Sequence, residues 1–100
     1  MAPVPPLTLK ITKRAATHLR SIESYIRERN PSAAVRVGDA IHVSLELLRR
    51  YPGAGRPGRS HGTREKSVAR YPYVIVYELP QPELVVILGI YHTAQSERKI

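Results

Sequence analysis

The 100-residue chain has no cysteine, no phenylalanine and no tryptophan. The missing cysteine excludes a disulfide framework, a thiolate nucleophile and a cysteine-based zinc site, and it suits a reducing compartment. Without Phe or Trp the core must be aliphatic, built from Leu, Ile, Val and Ala, with six tyrosines as the only large aromatic rings. No apolar run approaches the roughly 20 residues that a membrane span requires. Met1-Ala2-Pro3-Val4-Pro5-Pro6 is too short and too proline-rich for a signal peptide, so residues 1–6 read as a disordered lead-in and the cytoplasm is the expected location. Acids are scarce as well. Eight Asp and Glu face sixteen Lys and Arg, a formal charge of +8, and such a chain meets acidic partners, either nucleic acid or an acidic protein.

The positive charge is concentrated. Arg49, Arg50, Arg56, Arg59, Arg64, Lys66 and Arg70 crowd into residues 49–70 with Glu65 as the one acid, and the remainder of the chain is close to balance. Within this stretch Pro52, Gly53, Gly55, Pro57, Gly58 and Gly62 make residues 52–62 a loop with no room for regular structure. Arginine is favoured where planar, bidentate contact with phosphate or carboxylate is needed. Arg56, Arg59, Arg64, Lys66 and Arg70 are therefore the candidate binding residues for an acidic partner. His18, His42 and His61 show no ligand spacing with one another or with carboxylates, so neither a metal nor a cofactor is expected.

Periodicity orders the rest. Leu7-Thr8-Leu9-Lys10-Ile11 alternates as a short strand. Thr12 is an N-cap for a helix to about Arg29, with Ala15, Leu19, Ile22 and Ile26 on one face and Ala16 and Tyr25 beside them. Asn30-Pro31-Ser32 ends that helix and starts another that runs to about Tyr51. Its stripe is Ala34, Val37, Ile41, Leu45 and Leu48, and the short link makes the two helices an antiparallel hairpin. A polar, basic strand over Thr63 to Val68 follows, then two apolar strands, Tyr73 to Leu79 and Leu84 to Tyr91, joined by a turn at Pro80-Gln81-Pro82-Glu83. The predicted class is α+β, in the order β-α-α-β-β-β, with the helical hairpin on a small antiparallel sheet. It forms one domain over 7–96, with a polar tail at 97–100.

Three segments in this order carry a resemblance. They are Tyr51-Pro52-Gly53-Ala54-Gly55-Arg56-Pro57-Gly58 followed by Gly62-Thr63-Arg64-Glu65, the strand Tyr71-Pro72-Tyr73-Val74-Ile75-Val76-Tyr77, and Ile87-Leu88-Gly89-Ile90-Tyr91-His92-Thr93-Ala94-Gln95. Together they resemble the RelE/ParE superfamily of toxins from bacterial type II toxin–antitoxin operons, across about residues 7 to 96. The resemblance implies a growth-inhibiting toxin, of the kind associated with plasmid stabilisation. Its partner would be a small cognate antitoxin with an acidic C-terminal segment, and operator DNA would be met only through that antitoxin.

RelE-like members are ribosome-dependent mRNA endonucleases, whereas ParE-like members poison DNA gyrase. Cleavage of RNA through its 2′-hydroxyl needs a base, a cation for the phosphorane and an acid for the leaving oxygen. When the central strands are aligned on Val76-Tyr77, the arginine usual in the nucleases falls on Val74, and two RelE lysines fall near Glu65 and Ser67. A nuclease site would have to be drawn from His92 as acid, Glu65 as base and Arg64 or Arg70 as phosphate clamp. Strand alternation separates Glu65 and Ser67 from Arg64 and Lys66. The ParE-like branch is favoured, with the mRNA endonuclease and a non-toxic, antitoxin-binding member as the alternatives.

Overall fold

The computed structural model describes residues 6–95. In chain order the elements are β1 (Thr8–Ile11), α1 (Lys13–Arg29), α2 (Pro31–Arg50), a 3-10 turn (Pro52–Ala54), β2 (Arg56–Pro57), β3 (Arg64–Ser67), β4 (Tyr73–Gln81) and β5 (Leu84–His92). The strands form one sheet in the order β1-β5-β4-β3-β2. The expected lead-in falls almost wholly, and the expected tail wholly, outside the described residues. Among the described residues, no helix is long and apolar enough to cross a membrane, and no cluster of side chains could hold a metal ion.

Local chemistry sets the helix boundaries. The Thr12 hydroxyl accepts from the Ala15 N–H at 3.1 Å, capping α1, and donates to the Ile87 carbonyl at 2.9 Å, which ties that cap to β5. Asn30 serves both helices. Its N–H donates to the Ile26 carbonyl at the end of α1, and its side chain accepts from Ala33 N–H at the start of α2, where Pro31 takes the first helical position. Ala34, Val37, Ile41, Leu45 and Leu48 on α2 are all buried, and all but Ala34 pack with Ala15 of α1 against Ile75, Tyr77, Val85, Ile87 and Ile90 of the sheet. Each of the Val, Leu and Ile side chains contributes roughly 1.5–3 kcal/mol relative to exposure. A second, smaller cluster of Val74, Val76 and Tyr91, with Leu88 beside it, lies apart from the helix-packed core.

Three features depart from the pattern in the sequence. First, the sheet is mixed, because β1 runs parallel to β5, from Thr8 opposite Leu84 to Ile11 opposite Ile87, while the remaining ladders are antiparallel. Alternation in β1 specifies a buried face and carries no information about partner or direction. Second, the 52–62 loop contains regular structure after all. Arg56 and Pro57 pair with Glu65 and Arg64 as a two-residue edge strand, where the missing N–H of Pro57 faces no further strand. Third, β4 continues through Pro80 to Gln81. Its ladder with β3 ends at Tyr77, so that side of β4 is an open edge and tolerates proline, and the turn to β5 shrinks to Pro82-Glu83.

Candidate functional site

The basic loop is fastened to the sheet by one buried ring. Tyr77, which is fully buried, donates from its hydroxyl to the Pro52 carbonyl at 2.6 Å and accepts from the Gly55 N–H at 2.9 Å. Gly55 has to be glycine at this approach, because a Cβ there would lie 2.5 Å from the Tyr77 hydroxyl and 2.9 Å from the Glu65 carbonyl oxygen. From β3, Arg64 sends its NH2 to the carbonyls of Gly53 at 3.1 Å and Gly55 at 2.6 Å. Its guanidinium therefore closes the 3-10 turn, and this position does not present it as a phosphate clamp.

Glu65 points the other way. It lies opposite Val76 in the β3–β4 ladder and is buried at 5% exposure. One carboxylate oxygen accepts from the Arg59 backbone N–H at 3.0 Å, and the other sits 3.9 Å from the guanidinium of Arg56. The carboxylate thus organises the backbone that displays Arg56 and Arg59, whereas the Arg56 side chain is 68% exposed. An exposed arm on a buried anchor suits recognition, because the charge reaches solvent from a fixed base.

His92 stands at another corner. It lies opposite Tyr73 at the β4–β5 end, with the two rings edge to face at 5.4 Å. Side chains directly opposed across a ladder share a face, and Tyr73 and Val76, three residues apart on one strand, do not. His92 and Glu65 therefore point to opposite faces of the sheet, separated by two strand spacings across and three residues along, roughly 14 Å. His92 instead lines an open groove of about 530 Å³ with His18, Ser21, Tyr25, Tyr73 and Gln95, among others. Burial, and secondarily the neighbouring Tyr25, raises the Tyr73 phenol above its ordinary pKa.

His18, which carries no functional assignment from the sequence, closes the same groove. The Ile90 N–H, beyond the reach of β1, donates to His18 Nδ1 at 3.2 Å, and its ring meets Tyr91 edge to face at 4.8 Å. Burial, and then the Arg14 guanidinium, lowers the imidazole from its ordinary pKa of 6.5. The neutral form is the one this contact needs, and the unfolded chain accepts the proton more readily. The stabilisation is therefore complete above pH 6.5 and is lost as the pH falls from there through the folded-state value. His18→Asn, whose Oδ1 takes the place of Nδ1 as acceptor without titrating, should lose less stability than the parent between about pH 7 and about pH 5. Thermal unfolding across that range checks this, and equal slopes for the two proteins would refute it.

Lys66 and Arg70 belong to a third place. Lys66 lies opposite Ile75, so it projects to the helix side of the sheet with Arg64. Together with Arg70, Tyr71 and Ala69 it faces Arg36, Asp39, Val43 and Leu47 of α2 across a groove of about 370 Å³. The residues grouped by sequence as one patch thus divide into an outer display (Arg56, Arg59), an internal brace (Arg64, Glu65) and the wall of a groove (Lys66, Arg70). Arg36 of that groove escaped sequence reasoning because it lies thirty residues before Lys66. The sign of Val43 and Leu47 was available: they are apolar, four apart on α2, and off its buried stripe.

The family model for the ParE toxin of the type II toxin–antitoxin system parDE matches residues 9–97. A curated relative from Sinorhizobium fredii (strain NBRC 101917 / NGR234), Y4kP, named as a candidate toxin, is 39% identical over 88 residues, which cover 88% of this chain and 90% of that one. Among solved structures, the chromosomal ParDE toxin–antitoxin system of P. aeruginosa superposes with a TM-score of 0.77 at 26% identity, covering 86% of this chain and 95% of the other. The toxin–antitoxin complex RelBE2 of Mycobacterium tuberculosis superposes at 0.61, also at 26% identity, covering 90% and 94%. The helical hairpin packed on the five-stranded mixed sheet is therefore a known toxin fold, and this chain belongs to the ParE toxin family of type II toxin–antitoxin systems, within the RelE/ParE superfamily.

Proposed function

We propose that this protein arrests growth by poisoning DNA gyrase in the cytoplasm and is neutralised by a cognate antitoxin with an acidic C-terminal segment. Contact with operator DNA would be made through that antitoxin. The observation that carries the proposal is the separation of Glu65 from His92. A base and an acid on opposite faces of a sheet do not meet at one phosphodiester, which needs both within hydrogen-bond reach of the reacting oxygens. Two further observations support it: the position where the nucleases carry arginine is Val74, 1% exposed, and the guanidinium of Arg64 is held by loop carbonyls. Arg56 and Arg59, displayed on the Glu65 anchor, are the surface offered to gyrase or gyrase-bound DNA.

Induction of the chain without its antitoxin tests this. The expected outcome is a DNA-damage response with messenger RNA intact, undiminished toxicity for His92→Ala, and toxicity reduced at least about tenfold for Arg56→Glu with Arg59→Glu, as lost charge pairing at an interface implies. Codon-positioned cleavage of messenger RNA, abolished in His92→Ala, would overturn the gyrase reading in favour of the ribosome-dependent endonuclease.

A further inference from the structure

Three backbone N–H groups fix the side chains around the groove between α1 and the paired ends of β4 and β5. The Ile90 N–H donates to His18 Nδ1 at 3.2 Å, the Ala94 N–H to His92 Nδ1 at 3.0 Å, and the His92 N–H to Gln95 Oε1 at 2.8 Å. The Gln95 N–H returns to the His92 carbonyl at 3.0 Å and closes this turn. A ring nitrogen that accepts leaves the hydrogen of a neutral imidazole on its other nitrogen, and an amide whose oxygen accepts keeps its NH2 free to donate. His18 and His92 are thereby held as Nε2–H tautomers, and the Gln95 amide has one orientation. Burial, and then the Arg14 guanidinium, also favours the neutral His18 ring. These three side chains therefore offer the groove donors: two ring N–H groups and an amide NH2.

The surroundings are aromatic and uncharged. Tyr25 and Tyr73 line the groove beside His92, with Ile22 at its apolar side, and Tyr73 and His92 meet edge to face at 5.4 Å. Among the described residues that line it there is no Lys, Arg, Asp or Glu. The volume of about 530 Å³ lies within the range of roughly 300–1,000 Å³ that houses small organic ligands. A nucleic-acid strand would find no cation here for its phosphates, which supply most of its affinity. An amine would find no anion. Uncharged donors beside aromatic rings select a flat, neutral ring that carries carbonyl oxygens.

We propose that this groove binds a single carbonyl-bearing heterocycle of the uracil or guanine kind, as a free base or nucleoside, lying against Tyr25 and Tyr73 with its carbonyl edge on the donors of His18, His92 and Gln95. Binding of this kind goes beyond the gyrase reading and does not depend on it.

The experiment is an NMR titration of the full, isotope-labelled chain with uridine, cytidine, guanosine and adenosine. Nucleosides carry no phosphate, so the +8 charge of the chain does not bias the comparison. Cytidine has an amino group where uridine has a carbonyl, and adenosine differs from guanosine in the same sense at its major-groove edge. Uridine and guanosine are expected to shift the amides of Ile90, His92 and Ala94 with a Kd of about 1 mM or below. Cytidine and adenosine should bind at least about tenfold more weakly, because an amino group facing donors leaves both sides unpaired. Gln95→Glu keeps the oxygen that accepts from the His92 N–H and replaces the NH2 by an acceptor, so cytidine should draw level with uridine or pass it. His92→Phe keeps a ring against Tyr73 without the Nε2–H and should weaken uridine. His92 and Gln95 are both exposed, so neither substitution should unfold the chain. Oligouridylate in about 0.5 M salt, where attraction of its phosphates to the rest of the surface is screened, should bind no more tightly per base than uridine.

The proposal is overturned by unshifted amides at about 10 mM uridine, by equal binding of uridine and cytidine, or by the parent's preference surviving in Gln95→Glu. Much tighter binding of oligouridylate would overturn it too, by making a strand the occupant. Each outcome is read on the purified chain in the absence of gyrase, so failure here leaves the gyrase reading to its own test.

Discussion

Tyr77→Phe is expected to lower the stability of the folded chain by about 1–3 kcal/mol, the cost of leaving two buried polar partners unmet. The hydroxyl at risk is the one that accepts from Gly55 N–H and donates to the Pro52 carbonyl, and the ring that carries it is fully buried. Tyr77→Ala should cost about 3–5 kcal/mol, because it removes the ring from the core as well. Denaturant unfolding of the pair separates the hydroxyl from the ring. The Phe variant should also lose protection of the Gly55 amide against hydrogen exchange, while core amides such as that of Ile75 change only in step with global stability. Gly55→Ala is expected to be destabilising on its own, because its Cβ meets Tyr77 and the Glu65 carbonyl. Combined with Tyr77→Phe it should cost less than the two single effects together, since one of the overlapping atoms has gone. Unchanged stability and unchanged Gly55 exchange in Tyr77→Phe would remove the staple from the account.

Glu65 gives the second large effect, and it separates structure from catalysis. Glu65→Ala leaves the Arg59 N–H without its carboxylate and should cost about 1–3 kcal/mol, with the 56–59 arm losing its fixed base. Glu65→Gln retains an acceptor for that N–H and weakens the 3.9 Å pairing with a largely exposed Arg56, a pairing worth at most about 1 kcal/mol. Growth inhibition should follow the same order, nearly intact in Gln and diminished in Ala. A general base would behave otherwise: Gln would abolish toxicity at unchanged stability. Measuring Tm and growth arrest for both variants decides the point.

The division of the basic stretch has a consequence for reading such chains. Seven bases within twenty-two residues look like one patch because charge density is counted along the chain. Strand alternation sends Lys66 and Glu65 to opposite faces, and a buried carboxylate or an open carbonyl can capture an arginine that composition leaves in solvent. Arg64 is the clearest instance. Its partners, the carbonyls of Gly53 and Gly55, are main-chain groups invisible to a reading by residue type. Val74 and Tyr77 went the other way. Both were legible as members of an apolar strand, and only the staple made by the Tyr77 hydroxyl depends on a contact with a distant loop.

What the amino-acid order determined by itself is what depends on neighbours within a few positions. Thr12 and Asn30-Pro31 bound the helices because a cap acts on N–H groups two or three residues away. The stripes at helical spacing choose the buried faces, and the alternation in β3 decides that Lys66 and Glu65 part company. The ordered segments from Tyr51 to Gln95 were enough to point to the toxin superfamily. What only the tertiary structure decided depends on contacts across long stretches of chain. These are the parallel pairing of β1 with β5, the distance between Glu65 and His92, the binding of His18 to the β5 edge, and the facing of Arg36 by Lys66 and Arg70 across one groove. Such contacts are set by how the helical hairpin closes over a twisted sheet, and no spacing along the chain encodes that closure.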